Sequence, residues 1–247
     1  RQFLRLRERH APRSRPGDWR TGAPHRRGAR SGTDADGAAG DRARCSGADS
    51  LDADALAVRV GAIRETFEES GVLLARPSGS SALVTADRLR EIEARWRDRL
   101  NADEAGLIDV ALAEDLELAC DLLVSYAHWI TPEGMPKRFD TWFFLAAAPP
   151  EQVGAHDGKE STDSIWVSPR EALEGGESGR FKLPFPTTRN LIKLGKQASV
   201  KAALDDSRGK SVVTVTPVMT KNNGGRQLRI PLEAGYDGDV FEVGSVG

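Results

Sequence analysis

One stretch, Arg64-Glu65-Thr66-Phe67-Glu68-Glu69-Ser70-Gly71-Val72, constrains this chain more than any other. Just upstream, Leu56, Val60, Ile63 and Phe67 recur at i, i+4, i+7 and i+11, the period of one buried helix face. Asp52 and Asp54 suit the first turn of such a helix, and Gly71 suits its stop. The spacing predicts a helix from about residue 52 to residue 70. On it Glu65, Glu68 and Glu69 stand at i, i+3 and i+4, on one face and within one turn. Phe67 points the other way, into the apolar stripe. Three carboxylates so close repel one another. A bound divalent cation removes that penalty, and Mg²⁺ is held by a few carboxylates together with substrate phosphates. The grouping predicts a site for a metal–phosphate substrate. The plain alternative is an acidic, solvated helix face.

The rest of the chain reads as a mixture of helices and strands without a strict alternation. Val72-Leu73-Leu74 reads as a short buried strand. Ala86 to about Leu100 and Ala105 to Leu118 read as helices, the first strongly charged. Leu122 to Ile130 and Phe139 to Ala147 are rich in apolar, aromatic and β-branched residues and read as strands, joined by the turn Thr131-Pro-Glu-Gly-Met-Pro. Ser164 to Val167 reads as a short strand, with Pro169 opening a helix. Thr187 to Gly195 reads as helical. Ser211 to Val218 reads as a strand that pairs with Leu228 to Ile230 after an Asn222-Asn-Gly-Gly turn.

Residues 1–49 are of another kind. Residues 1–50 hold 12 Arg against 6 acidic residues, while the whole chain carries a net charge of −2. No lysine precedes Lys137. Arg, Gly, Ala and Pro dominate with no sustained period, so the expected state is disorder. A basic nucleic-acid arm and a stretch translated out of frame are the alternatives. Acids are mixed in and aromatics are sparse, so nucleic acid is not the expected partner. Residues 50–247 form the expected folded domain.

The longest apolar run, Trp142 to Ala148, is too short to span a membrane, so no membrane partner is expected. The first residues show no secretory pattern. With only Cys45 and Cys120 there is no disulfide framework, and the cytoplasm is the expected location. The chain begins without Met, as a fragment would. The four histidines show no ligand spacing. Nucleophile-elbow, P-loop and dinucleotide-binding motifs are absent, which removes support for serine hydrolase, kinase and dehydrogenase readings. Cys120 is expected to be buried and inert. Trp129 and Trp166 are expected to pack rather than to stack on a base. Arg138 and Asp140 are expected to form a structural ion pair, with substrate contact as the alternative.

The carboxylate string also matches the second half of the Nudix box, RE-U-x-EE-x-G-U with U a bulky or apolar residue, in every specified letter. Trp129-Ile-Thr-Pro-Glu, Arg138-Phe-Asp-Thr with Phe143-Phe144-Leu145, Glu160 and Trp166-Val-Ser-Pro extend the likeness. The chain resembles the longer Nudix hydrolases related to the peroxisomal and mitochondrial coenzyme A diphosphatases, over roughly Asp52 to Leu194. The resemblance implies an α/β fold, the Nudix α/β/α sandwich with a mixed sheet between helices. It implies metal-dependent hydrolysis of the diphosphate bond in a nucleoside diphosphate-linked small molecule such as coenzyme A or an acyl-CoA, with Mg²⁺ or Mn²⁺ as cofactor.

Residue by residue, the resemblance implies Glu68 and Glu69 as metal ligands and Glu65 as a ligand or the catalytic base. Arg64 would position the glutamates. Glu160 would be a second base or outer ligand, against the alternative of an exposed loop glutamate. No substrate-binding residue is assigned, and a homodimer is left open. One departure stands out. Where the first half of the box requires Gly and Glu, this chain has Ser50 and Leu56. The strand and Gly-rich loop that precede the helix in the family are therefore expected to be missing or altered. A catalytically inactive Nudix-like binding protein is the alternative function.

Overall fold

The computed structural model describes residues 44–155, 165–222 and 225–243. Among these, residues 44–123 and 146–155 form one compact unit, and residues 124–145 and 165–243 form another.

The first unit holds the carboxylate-bearing helix, α1 (Ala53–Ser70). Asp52 caps it by accepting the Ala55 N–H at 2.7 Å, satisfying one of the donors a helix start leaves over. Gly71 ends it with φ of 63°, a backbone state that favours glycine, and donates its N–H to the Phe67 carbonyl. Leu56, Ile63 and Phe67 are buried, as the period predicts, and Val60 is half-buried.

Residues 72–74 are buried but form no strand, contrary to expectation. The reason lies in where the backbone bonds go. The fully buried Gln152 side chain accepts the Leu73 N–H and donates to the Leu73 and Val84 carbonyls, at 3.0–3.1 Å. A side chain thus takes the place of a neighbouring strand. The strand comes next instead, as β1 (Ala75–Pro77).

Helix α2 (Ala86–Asn101) lies where its charge pattern predicts, capped by Thr85. Helix α3 (Leu107–Ala113) is shorter than expected. At Asp115 the chain turns into the left-handed region, φ 51°, and the period changes from helical to alternating. Leu116 and Leu118 are buried on either side of the half-buried Glu117, as β2 (Leu116–Leu118), antiparallel to β1. Glu114, at the end of α3, is buried and receives Arg88 at 2.8 Å, Arg95 at 3.0 Å and the Trp96 indole N–H at 2.6 Å. The charges of α2 are therefore partly structural. Helix α4 (Pro150–Ala155), which carries Gln152, was not anticipated.

Ordered structure reaches into the segment expected to be structureless. Cys45 is buried, Ser46 N–H donates to the Leu118 carbonyl, and Leu118 N–H donates to the Arg44 carbonyl. Residues 1–43 lie outside the described residues.

The second unit is built on β3 (Val124–Ile130), flanked by antiparallel β4 (Asp140–Leu145) and parallel β5 (Thr214–Val215). The sheet is mixed, as expected of an α/β Nudix fold. Helix α5 (Pro169–Glu177) begins at the predicted proline, with Ser168 and Glu171 capping each other's backbone N–H groups. The expected strand before it reduces, among the described residues, to a single bridge at Val167. Helix α6 (Phe185–Gly195) matches expectation, whereas α7 (Val200–Arg208) was not anticipated.

The expected long strand at 211–218 is split between β5 and β6 (Val218–Asn222). Pro217 lies between them, and proline has no N–H for a ladder. β6 forms the expected hairpin with β7 (Gly225–Arg229), and β8 (Val240–Val243) adds to its far side. Residues 223–224 of the turn lie outside the described residues. Ala127, Trp129, Val215, Ile230, Ala234 and Tyr236 make the core here. Among the described residues no helix is long and apolar enough to cross a membrane.

Candidate functional site

Four of the five residues singled out stand on α1, and Glu160 lies outside the described residues. Arg64 sits between two carboxylates. Its Nη2 donates to Glu65 Oε1 at 2.8 Å and its Nη1 to Glu68 Oε1 at 3.1 Å. The two glutamates differ in setting: the Glu65 side chain is 38% exposed, and that of Glu68 only 3%. Glu69 is half-buried. The sequence reading put all three on one face, opposite Phe67. Glu68 follows Phe67 by about 100° around the helix, which sets it at the edge of the buried stripe rather than away from it.

Helix α2 supports the last turn of α1. Arg97 donates from Nη2 to the Glu68 carbonyl at 3.3 Å and from Nη1 to Glu93 Oε1 at 3.1 Å. The final carbonyls of a helix lack partners within it, so this contact satisfies one of them and fixes the turn that carries the Glu68–Glu69 pair. Sequence reasoning missed Arg97, because nothing in a surface-like arginine at i+4 from a glutamate says what it reaches. Ser70 Oγ donates to the Thr66 carbonyl and accepts the Val72 N–H at 3.2 Å, tightening the exit from the same turn.

The donor set suits a hard divalent cation, since it offers carboxylate oxygens and no soft ligand. The geometry is not that of a closed cage. Among the described residues no three His, Cys, Asp or Glu side chains converge as a metal group. Arg64 holds two of the three carboxylates.

In the other unit, the expected Arg138–Asp140 pair is not formed. Arg138 donates to the Thr131 carbonyl, and Asp140 meets His128 Nε2 at 2.6 Å. The cross-strand register decides this: Ile130 faces Asp140, and His128 faces Trp142 on one side and Thr214 on the other. His128 Nδ1 lies 2.9 Å from Thr214 Oγ1, and the ring stacks on Trp142 with centroids 4.1 Å apart. His128, to which sequence reading assigned nothing, is thus the centre of a polar cluster on the sheet. Trp129 packs in the core as expected and donates to the Tyr236 hydroxyl at 3.0 Å. Cys120 is buried as expected. Hydrogen bonding with Cys45, and then burial, push its thiol well above the usual range, so it stays protonated. Arg76 forks onto Asp121 at 2.7 and 2.8 Å, and that hydrogen bonding holds the Asp121 carboxyl below the usual carboxylate range.

The chain is similar to known proteins over the region that contains this site. It is 33% identical over 152 residues to the human acyl-coenzyme A diphosphatase NUDT19, covering 59% of this chain and 40% of that protein. Against the Xenopus laevis acyl-coenzyme A diphosphatase NUDT19 the identity is 31% over 153 residues, covering 56% of this chain and 39% of that protein. The putative nudix hydrolase 7 of Caenorhabditis elegans is 29% identical over 140 residues, covering 56% of this chain and 44% of that protein. The chain spans about two fifths of the length of these curated relatives. The crystal structure of a NUDIX hydrolase from Alicyclobacillus acidocaldarius superposes with a TM-score of 0.45 at 23% identity, covering 72% of this chain and 78% of that one. The model of the NUDT19 Nudix domain matches residues 31–194, which takes in all of α1 and both sides of the expected boundary at residue 49. With its carboxylate helix inside a match that covers most of its length, the chain belongs to the NUDT19 Nudix domain family.

Proposed function

We propose that this chain hydrolyses the diphosphate bond of a coenzyme A derivative in the presence of Mg²⁺ or Mn²⁺. The observation that carries the reading is α1 itself, where the Arg64-Glu65…Glu68-Glu69 set lies inside the NUDT19 Nudix match. Water adds to one phosphorus, the bridging oxygen leaves with the other phosphoryl group, and two phosphomonoesters result. Coenzyme A itself would give phosphopantetheine and adenosine 3′,5′-bisphosphate.

Glu68 and Glu69 are the residues that would hold the cation, and Glu65 would be either a further ligand or the base. When bound, the cation neutralises charge developing on the phosphoryl oxygens and makes a coordinated water more acidic. The chain's own residues prepare the site. Arg64 orients the carboxylates of Glu65 and Glu68. Arg97 fixes the turn that presents the Glu68–Glu69 pair. Glu65 is the more open of the two carboxylates on Arg64, so water reaches it, and it is the candidate to take the proton. Glu160 is the second candidate.

The test is hydrolysis of coenzyme A by the purified chain with Mg²⁺, Mn²⁺ or EDTA, for the native residue and for Glu69→Gln. A working site should lose about two or more orders of magnitude in rate in the variant, in line with a missing metal ligand or orienting group. Unchanged metal-dependent turnover in the variant would overturn the site. A second reading, a catalytically silent binding protein, is favoured by one observation: Arg64 already pairs with two of the three carboxylates. Ligand binding without turnover in either metal would decide for it.

A further inference from the structure

The strap that leads into α1 brings two thiols together. Residues 44–46 run beside β2, with Cys45 bridged in parallel to Leu118. Ser46 N–H donates to the Leu118 carbonyl at 2.9 Å, and Leu118 N–H donates to the Arg44 carbonyl at 2.7 Å. Residues that face each other across such a bridge project to one side, and a residue two further along projects there too. Cys120 is two beyond Leu118, at the start of the helical turn Cys120–Leu122. Further along the strap, Gly47 passes so close that a Cβ on it would lie 3.1 Å from the Asp121 Cβ. Cys45 and Cys120 are both buried, 6% and 1% exposed, and their thiols are hydrogen-bonded to each other.

Two buried free thiols side by side can serve as small apolar packing. Their placement points further. The strap is fastened at its start by Arg44, which donates to the Ser78 hydroxyl at 2.9 Å and to Asp115 at 2.8 Å, both on the surface. Local opening of such a segment does not need the core to unfold. Cys45 stands on the strap and Cys120 in the body of the unit, so opening presents Cys45 first. Hydrogen bonding with Cys45, and then burial, keep the Cys120 thiol protonated, with Arg59 of α1 acting the other way. Cys120 is thus shielded from outside reagents and placed to attack its neighbour. Sulfurs in hydrogen-bond contact need to close by only about 2 Å to bond.

We propose that Cys45 and Cys120 form a reversible disulfide that staples the strap before α1 to the Cys120–Leu122 turn. The co-reactant is a low-molecular-weight disulfide. The Cys45 sulfur, having given its proton to water, attacks one sulfur of the co-reactant, whose S–S bond breaks and whose other half leaves as a thiolate. The Cys120 sulfur, likewise deprotonated, attacks Cys45 in this mixed disulfide and expels the second thiolate. The two protons end on the two released thiols, so two cysteine thiols are oxidised and one small disulfide is reduced. The bond fastens the chain just ahead of the Asp52 cap, where the carboxylate helix begins. The staple goes beyond the hydrolytic reading and does not depend on it.

The test is incubation of the full chain in mixtures of reduced and oxidised glutathione, then acid quenching, alkylation and peptide mapping by mass spectrometry. A parallel sample passes through partial unfolding in urea and back, so that burial does not block the exchange. The linked Cys45 and Cys120 peptides should appear as the oxidised share rises and vanish with dithiothreitol. The linked chain should melt roughly 5 °C or more higher, since the cross-link restricts the unfolded chain. Cys120→Ala should stop at a glutathione mixed disulfide on Cys45. Cys45→Ala should leave Cys120 unmodified in the folded chain over the same time. Neither variant should gain melting temperature on oxidation. Free thiols at every ratio, disulfides only with glutathione or between chains, or a linked chain that melts no higher would overturn the proposal and leave the pair as packing. The map of the native chain decides by itself if a variant does not fold.

Discussion

Arg64 bears on two carboxylates of unequal worth. Its bond to Glu65 is half-exposed and screened, so it contributes little to stability. Its bond to the buried Glu68 contributes more, because a carboxylate that loses a charge-assisted partner out of water keeps most of its desolvation cost. Arg64→Ala should therefore lower unfolding stability by about 1–3 kcal/mol, read from urea midpoints at constant slope. Arg64→Lys should recover only part, since an ammonium cannot serve two acceptors with the fixed fork of a guanidinium. A native-like midpoint for Arg64→Ala would mean that Glu68 is held by other groups. Identity and spacing announced these residues, but their unequal burial did not show, because two residues three apart, neighbours on one helix face, can fall on either side of a boundary that the partner element draws.

Helix α1 was legible nearly to the residue because its start, stripe and stop all agree: the Asp52 cap, the apolar period and Gly71. One residue departs from that consistency. Gly61 lies mid-helix, and a Cβ placed there meets nothing within 4 Å. Gly61→Ala should stabilise the chain by about 0.5–1 kcal/mol by reducing the freedom of the unfolded backbone, seen as a higher melting temperature. A lower melting temperature would show that the position needs glycine for a reason outside this helix. Elements held by non-local partners were less legible. The run at 72–74 has the composition of a strand, yet a glutamine far along the chain takes its backbone groups. β1 and β2 are three residues each, too short for a period to show, and they exist because they pair with each other.

At the scale of the molecule, the two tyrosines report on the core of the second unit. Burial pushes the Tyr236 hydroxyl up to about 12, with the Trp129 N–H acting the other way, and burial likewise raises Tyr126. A tyrosine in the unfolded chain ionises near 10. The folded state therefore keeps its protons after the unfolded state has given them up. The resulting stability is fully present below about pH 10 and is lost as pH rises toward 12. Tyrosinate absorbance should stay low through pH 10 and rise together with loss of the helical circular dichroism signal. Normal titration near pH 10 with helices intact would contradict the buried positions.

The sequence by itself determined α1, its three carboxylates, the β6–β7 hairpin and the family. These are written in local patterns, and the family's motif is itself local, one turn of one helix and its stop. The tertiary structure decided what those patterns leave open. It set Glu68 inside and Glu65 outside, brought Arg97 of α2 to the end of α1, turned Asp140 toward His128 instead of Arg138, and put Gln152 where a strand would otherwise pair. In each case the partner comes from another element, and a side chain's reach across elements is fixed only when the backbones have packed.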